Sequence, residues 1–406
     1  MIIRYERNRC LKRKFYTEHN KKQRKQRMLQ NEEKKHIVWR LLWQKRTILL
    51  LSGAVGILLL EIAKRSSFFA EEIFAKRIFK VLSIGISFIT GWLPFSLAEI
   101  SVVVCPVAVL VLLGLFVRTM IKKKEERFFL CLNGLYSVAC IASLVFCIYA
   151  VGCGVNYYRY PFSYYAGLTV EPSDVEVLYA VCAELTEEAN ALRKQLTSED
   201  ENGVYQLSMS KRELGNLTKE AYEKLAEEYA VLGGQYPAPK QILLSKLMSY
   251  TELTGIYTCW TMEANVNVDI PDYSIGSTMA HELAHLRGFI REDEANYLAY
   301  LACMKSENLE LRYSGVMDAL ILSGNALYRK NPDLYFLLRE TYEPGIERDL
   351  AANSAYWAKY HDTVVSNTVD KANDTYLKAN NQTDGVESYG RMVDLLIAAY
   401  KKRNEK

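Results

Sequence analysis

The stretch Ser277-Thr278-Met279-Ala280-His281-Glu282-Leu283-Ala284-His285-Leu286-Arg287-Gly288, followed by Arg291-Glu292-Asp293-Glu294-Ala295-Asn296, decides how this chain is read. Two histidines four residues apart on a helix project from one face, a turn apart, so both imidazoles can reach one metal ion. The spacing is H-E-x-x-H, which serves zinc-dependent hydrolysis, and Glu282 follows the first histidine, where it can take a proton from a zinc-activated water. The chain holds only 5 His, so a pair in register around a Glu is an infrequent coincidence. The plainer alternative is a solvated helix face that carries Glu and His with no metal.

Catalytic zinc commonly takes three protein ligands and keeps one position for water. No further His follows closely, which leaves Glu292, Asp293 and Glu294 as candidates. Glu292 comes first, because Asn296 then falls one turn later on the same face and can orient a histidine. Glu294 comes second, since its one-turn partner is the apolar Leu298. Without a metal, the triplet is a charged first helical turn favourable to the macrodipole.

Upstream, Ile256 to Ile270 has strand character, β-branched and aromatic with a polar break near Thr261 to Asn265, and Pro271-Asp272 ends it. Such a strand either offers edge hydrogen bonds to an extended peptide or completes a small sheet. Ser274 or Ser277 is expected to cap the histidine helix, Gly288 to end it, and a new helix to begin near Arg291. Helical signals also run through Pro172–Leu196 and Thr218–Leu232, and Gln241–Ser245 is apolar with some strand character. Residues 154–406 therefore read as one mainly helical (α+β) domain with a small sheet.

Three apolar runs precede it, near 47–63, 100–121 and 128–151, each close to the length that crosses a hydrocarbon core. The stretch 78–95 is apolar but carries Lys80, Gly91 and Pro94, and reads as interfacial or re-entrant; a full crossing would make four spans and move the domain to the other side. Residues 1–46 form an arm crowded with Lys and Arg. Because an apolar run follows directly, it reads as a cytoplasmic arm at the membrane surface, with the lipid bilayer as partner and no nucleic acid. With the Lys122-to-Arg127 loop also inside, three spans place the N-terminus in the cytoplasm and the domain outside the cell membrane. The 9 Cys show no C-x-x-C spacing, and Cys303 reads as core.

His281-Glu282-Leu283-Ala284-His285 with Glu292-Asp293-Glu294-Ala295-Asn296 resembles the gluzincin arrangement, in which a Glu completes H-E-x-x-H. More closely, the chain resembles the membrane proteins grouped as the domain of unknown function 3810 family. The matching stretches are Trp92-Leu93-Pro94-Phe95-Ser96, Glu263-Ala264-Asn265-Val266-Asn267, the histidine helix with Gly288-Phe289, and a tail from Tyr376-Leu377-Lys378-Ala379-Asn380 to Tyr389-Gly390. The resemblance implies a membrane-anchored, zincin-like domain. His285 and Glu292 stand much closer in sequence than in thermolysin-like enzymes, and Arg291 occupies the place of a third metzincin histidine.

The expected function is zinc-dependent metallopeptidase action on a peptide or protein substrate, with His281, His285 and Glu292 (or Glu294) as ligands and Glu282 as base. Tyr389 and His361 come first as donors to the oxyanion, with Tyr360 and Tyr376 behind them. The alternative is a catalytically inert zincin fold serving as membrane sensor or assembly protein. An intramembrane protease fits poorly, because Arg287, Arg291, Glu292 and Asp293 crowd the end of the histidine helix.

Overall fold

A computed structural model describes residues 45–380, 382 and 391–405. The basic arm, apart from residues 45 and 46, lies outside the described residues, as does Tyr389. Among the described residues three helices are long and apolar enough to cross a membrane: Thr47–Arg65, Leu97–Lys122 and Lys124–Gly152. They coincide with the three apolar runs. The described residues divide into two compact units, one of those up to 56 with 109–147 and one of 57–108 with those from 148 onward.

In the first unit, parts of α1 (Thr47–Arg65) and of a later apolar helix, Arg127–Gly152, approach closely through small residues. A Cβ on Gly53 would stand 3.0 Å from Ser143, and one on Gly56 3.2 Å from the Cys147 backbone. At the polar end Arg46 donates to Ser137 and Asn133 and lies over the Tyr136 ring at 5.0 Å.

The second unit holds α2 (Lys80–Gly91), which continues a π-helical run over Phe69–Phe79. One side, with Glu71, Phe74, Phe79, Ser83 and Ser87, is buried in the unit, while Val81, Ile89 and Trp92 are exposed. This is the stretch expected to be interfacial, and it is not one of the three helices fit to span. A buried fork fixes it: Arg159 donates from Nε and Nη2 to the two Glu71 oxygens, both at 2.8 Å, and from Nη1 to the Arg287 carbonyl at 3.3 Å.

The remaining helices are α3 (Leu97–Lys122), α4 (Arg127–Gly152), α5 (Phe162–Ala166), α6 (Val175–Arg193), α7 (Lys211–Glu228), α8 (Ser245–Ser249), α9 (Asp272–Leu286), α10 (Glu292–Met304), α11 (Leu309–Lys330), α12 (Pro332–Arg339), α13 (Pro344–Trp357), α14 (Val364–Ala379) and α15 (Met392–Asn404). The chain is thus mainly helical with one small sheet. Helix α9 is the hub: Ile275, Met279, Ala280, Leu283, Ala284 and Leu286 are fully buried in the main core, with α7, α10, α11 and the small sheet around them. Helix α7 starts earlier than Thr218, at Lys211, because the Ser210 hydroxyl accepts from the Glu213 N–H at 3.2 Å. It stops at Glu228, and Ala230–Leu232 is a separate 3₁₀ turn.

The sheet has the order β1-β3-β2. Strand β1 (Lys240–Gln241) is parallel to β3 (Glu263–Val266), and β2 (Gly255–Thr258) is antiparallel to it. The stretch expected to be one strand is therefore a hairpin, turning through Met262 at φ 48°. Of the polar residues expected to break the strand, Thr261 lies in the turn, while Glu263 and Asn265 belong to β3. Glu263 accepts from the Leu97 and Ala98 N–H groups at 3.1 and 2.9 Å and pairs with Lys240, while Asn265 donates to the Ile256 carbonyl.

Helix α9 also differs from expectation at its start. It begins at Asp272, directly after the extended Pro271, and Ser277 and Thr278 donate their hydroxyls back to the Ser274 carbonyl instead of capping. Gly288 ends the turn after α9 at φ 86°, where a Cβ would stand 2.9 Å from Phe79. This lets the chain reverse into α10 within a few residues.

Candidate metal centre

One helical turn separates His281 from His285 on α9, and the reversal at Gly288 brings the first residue of α10, Glu292, back over both. Oε2 of Glu292 lies 3.1 Å from Nε2 of His281 and 3.5 Å from Nε2 of His285. The three ligand atoms fall within 4.8 Å of one another, and the group is one that could hold a metal ion. The imidazole rings stand at 89° to each other with centroids 4.6 Å apart, so their nitrogens converge instead of stacking.

The far nitrogens decide what the near ones present. Nδ1 of His285 lies 2.8 Å from the Phe289 carbonyl, and Nδ1 of His281 2.5 Å from Oδ1 of Asn296. Both partners only accept, so each Nδ1 carries the hydrogen and each Nε2 turns a lone pair toward Glu292. Two lone pairs and a carboxylate in one buried place repel unless a cation sits among them. In keeping with this, Oε2 of Glu292 is buried and accepts no hydrogen bond, and so is Oε2 of Glu282.

A proton can play the cation's part. Burial alone would lower the His281 pKa, but contact with Glu292 outweighs it and holds the imidazole up to about 9. Burial would likewise raise Glu292, yet His285 and His281 keep it down at about 2. With both pKa values moved this way, the His281–Glu292 pair stabilises the metal-free protein most between the ordinary values of about 4.5 and 6.5, weakens as the pH rises from there toward 9 or falls toward 2, and is lost beyond those limits. A metal ion must displace the His281 proton. Below pH 9 zinc affinity should therefore fall about tenfold per pH unit, with at least about one proton released per zinc; titration calorimetry in two buffers of different ionisation enthalpy reads this directly.

Glu282 does not join the cluster but stands beside it. Burial pushes its carboxyl above the ordinary range, while the two histidines and the Tyr257 backbone N–H pull the other way. Its carboxylate rests against β2, where a Cβ on Gly255 would stand 2.4 Å from Oε1. Only glycine leaves room there. His281 and Glu282 line a cavity of roughly 340 Å³ together with Thr254, Gly255, Ser277 and Asp318.

Of the other residues singled out from the sequence, Glu294 is turned away from the cluster. Its carboxylate accepts from the Phe162 N–H at 3.0 Å and lies 3.7 Å from Arg291, so it ties α5 to α10. His361 is 60% exposed and pairs with Glu252 at 2.9 Å; Glu252 lines the cavity, and His361 stands behind it. Tyr360 is buried in ring contacts with Tyr250 and Tyr356. Tyr376 does reach the neighbourhood: its hydroxyl accepts from Tyr157 at 3.3 Å, and after burial the Glu292 charge is among the causes that raise its pKa. Tyr389 lies outside the described residues.

Two contributors escaped the sequence reading. Asp318 of α11 faces the cavity, its carboxyl pushed up to about 6 by burial against the opposing pull of His281. A lone acid inside Val316-Met317-Asp318-Ala319-Leu320 was the available signal. Tyr257 was the other: its ring lies 6.3 Å from that of His285, and its strand position gave no hint of it.

The Asn296 contact carries a prediction of its own. Asn296→Ala should weaken zinc binding about 10–100-fold while leaving the fold intact, measured by competition with a zinc chelator of known affinity.

A family model described as "Protein of unknown function (DUF3810)" matches residues 74–397. No curated protein and no solved structure matches the chain.

Proposed function

The chain belongs to the DUF3810 family, whose model spans residues 74–397, and from the site it carries we propose that it is a membrane-anchored, zinc-dependent metallopeptidase. The observation that supports this reading is the convergence of two Nε2 lone pairs and Oε2 of Glu292 within 4.8 Å. Glu282, one of whose carboxylate oxygens is buried without a hydrogen bond, stands beside them.

His281, His285 and Glu292 would hold the ion, with Asn296 and the Phe289 carbonyl keeping the imidazoles oriented. Zinc bound there supplies Lewis acidity toward a scissile carbonyl and toward water. Glu282 takes the proton of the attacking water and passes it to the departing amine. The water oxygen joins the acyl carbon, the C–N bond breaks, and the proton leaves on the amine, so no further reactant is needed. Burial of Glu282 raises its proton affinity, which suits a group that must first accept and then donate. Tyr376 is the phenol from the C-terminal region best placed to donate to the developing oxyanion.

Strand β2 supplies a place for the substrate backbone. Asn267 N–H donates to the Thr254 carbonyl at 2.8 Å, which marks that pair as hydrogen-bonded. By the two-residue alternation of an antiparallel ladder, Gly255 and Tyr257 then turn their backbone groups away from β3, toward the edge where Glu282 lies. An extended peptide can pair along that edge with its carbonyl beside the base.

The positive charge of the Lys122-to-Arg127 loop favours a topology with that loop and the N-terminus in the cytoplasm and the metal centre outside. The test of the activity is cleavage of a mixed peptide library by the full-length protein in detergent micelles. Chelation should abolish cleavage and added zinc restore it; cleavage indifferent to chelation contradicts the proposal.

A further inference from the structure

Granting the peptidase reading, the surroundings of the metal centre define what it can reach. The Tyr257 ring sits 6.3 Å from that of His285, and its hydroxyl donates to the Gly152 carbonyl at 3.2 Å. Gly152 is the last residue of an apolar helix fit to cross a membrane. One side chain thus separates a candidate ligand from the end of a span.

The edge strand runs between the same two points. Gly255, at its start, lies against Glu282, and beyond its far end Cys259 lies against Gly152, whose Cβ would stand 2.5 Å from that of Cys259. Four residues of strand cover about 13 Å. The tip of the hairpin then presents Trp260, 52% exposed, and the other side of this sheet end is fixed to a second apolar helix. Glu263 accepts from Leu97 and Ala98 at the start of α3. Lys240 ties the same carboxylate to the Thr90 and Phe95 carbonyls, and Trp92 between them is 76% exposed. Aromatic and aliphatic side chains at the ends of spans sit at the boundary between water and hydrocarbon.

A peptide paired along β2 therefore has one end at the catalytic carboxylate and the other at the membrane boundary. We propose that the substrate is a membrane-anchored polypeptide, cut in the extended segment that flanks its own apolar span. The bond at Glu282 lies about four residues from the boundary, and the substrate's own span lies in the lipid beyond it. A peptide free in water gains nothing from this arrangement.

The test uses the full-length protein in phosphatidylethanolamine and phosphatidylglycerol vesicles together with a randomised segment of about 12 residues joined to a single apolar helix of about 20 residues. In a second substrate a long Gly/Ser spacer separates the two, and in a third the segment is free in solution. The directly joined segment should be cut at least about tenfold faster than either other form, with cuts clustered roughly three to six residues from its span. Equal rates for all three, or cuts spread evenly along the segment, overturn this proposal and leave the peptidase reading standing. Absence of Glu282-dependent cleavage in every form overturns both.

Discussion

Replacing Glu282 by Gln should lower peptide cleavage roughly 10²–10⁴-fold, the span that a positioned general base commonly contributes. The amide keeps the shape and the neighbours, Gly255 and the Tyr257 N–H, but has no lone pair basic enough to take a proton. Zinc content should not change, because Glu282 stands beside the ligand group and not in it. The thermal midpoint should rise, since a buried carboxylate with one unpartnered oxygen costs the fold and a neutral amide relieves that cost. The combination matters more than any one result. A residue kept only for packing would lose stability on substitution; a residue kept for chemistry loses rate and gains stability. Cleavage left unchanged by Glu282→Gln does not arise at this site, and the inert-sensor reading then takes over.

The second large effect separates the two acids that the sequence left as alternatives. Glu292→Ala should weaken zinc binding by more than about 10²-fold, beyond the loss expected from an orienting residue such as Asn296. Glu294→Gln should leave zinc affinity within about threefold, because its carboxylate serves the Phe162 N–H instead of the ligand group. Burial, with the neighbouring Asp293 charge, pushes the Glu294 carboxyl up to about 7, so a neutral amide there resembles a form the native residue already visits at neutral pH. Chelator competition on the purified variants reads both. Equal losses would mean that the acidic turn holds the metal collectively, contrary to the geometry at 3.1 Å from His281.

Why these two glutamates could be ranked from sequence, and other features could not, has a physical basis. Helical spacing is rigid, so the i, i+4 relation of His281 to His285 and of Glu292 to Asn296 follows once a helix is granted. The three helices long and apolar enough to cross a membrane were legible because length and hydropathy alone define them. What spacing does not carry is the reversal at Gly288 that folds one helix onto another, and this is what brings Glu292 over both imidazoles. The polar stretch near Thr261 to Asn265 marked a break in strand character, but not that the chain turns there and that Glu263 returns as part of β3. Glu263 is held in the sheet by Lys240 and the start of α3, partners remote in sequence. Tyr257 reaches the site through tertiary packing and leaves no local pattern, and Asp318 leaves only a lone acid in an apolar run. His361, favoured for its rarity, pairs instead with Glu252 near the surface.

Elemental analysis of the purified full-length protein tests most directly whether His281, His285 and Glu292 hold a metal. Wild-type protein, loaded with zinc and passed through a desalting column, should retain one zinc per chain, and His285→Ala should retain none. Zinc absent from the folded wild type, or held equally by the variant, would contradict it.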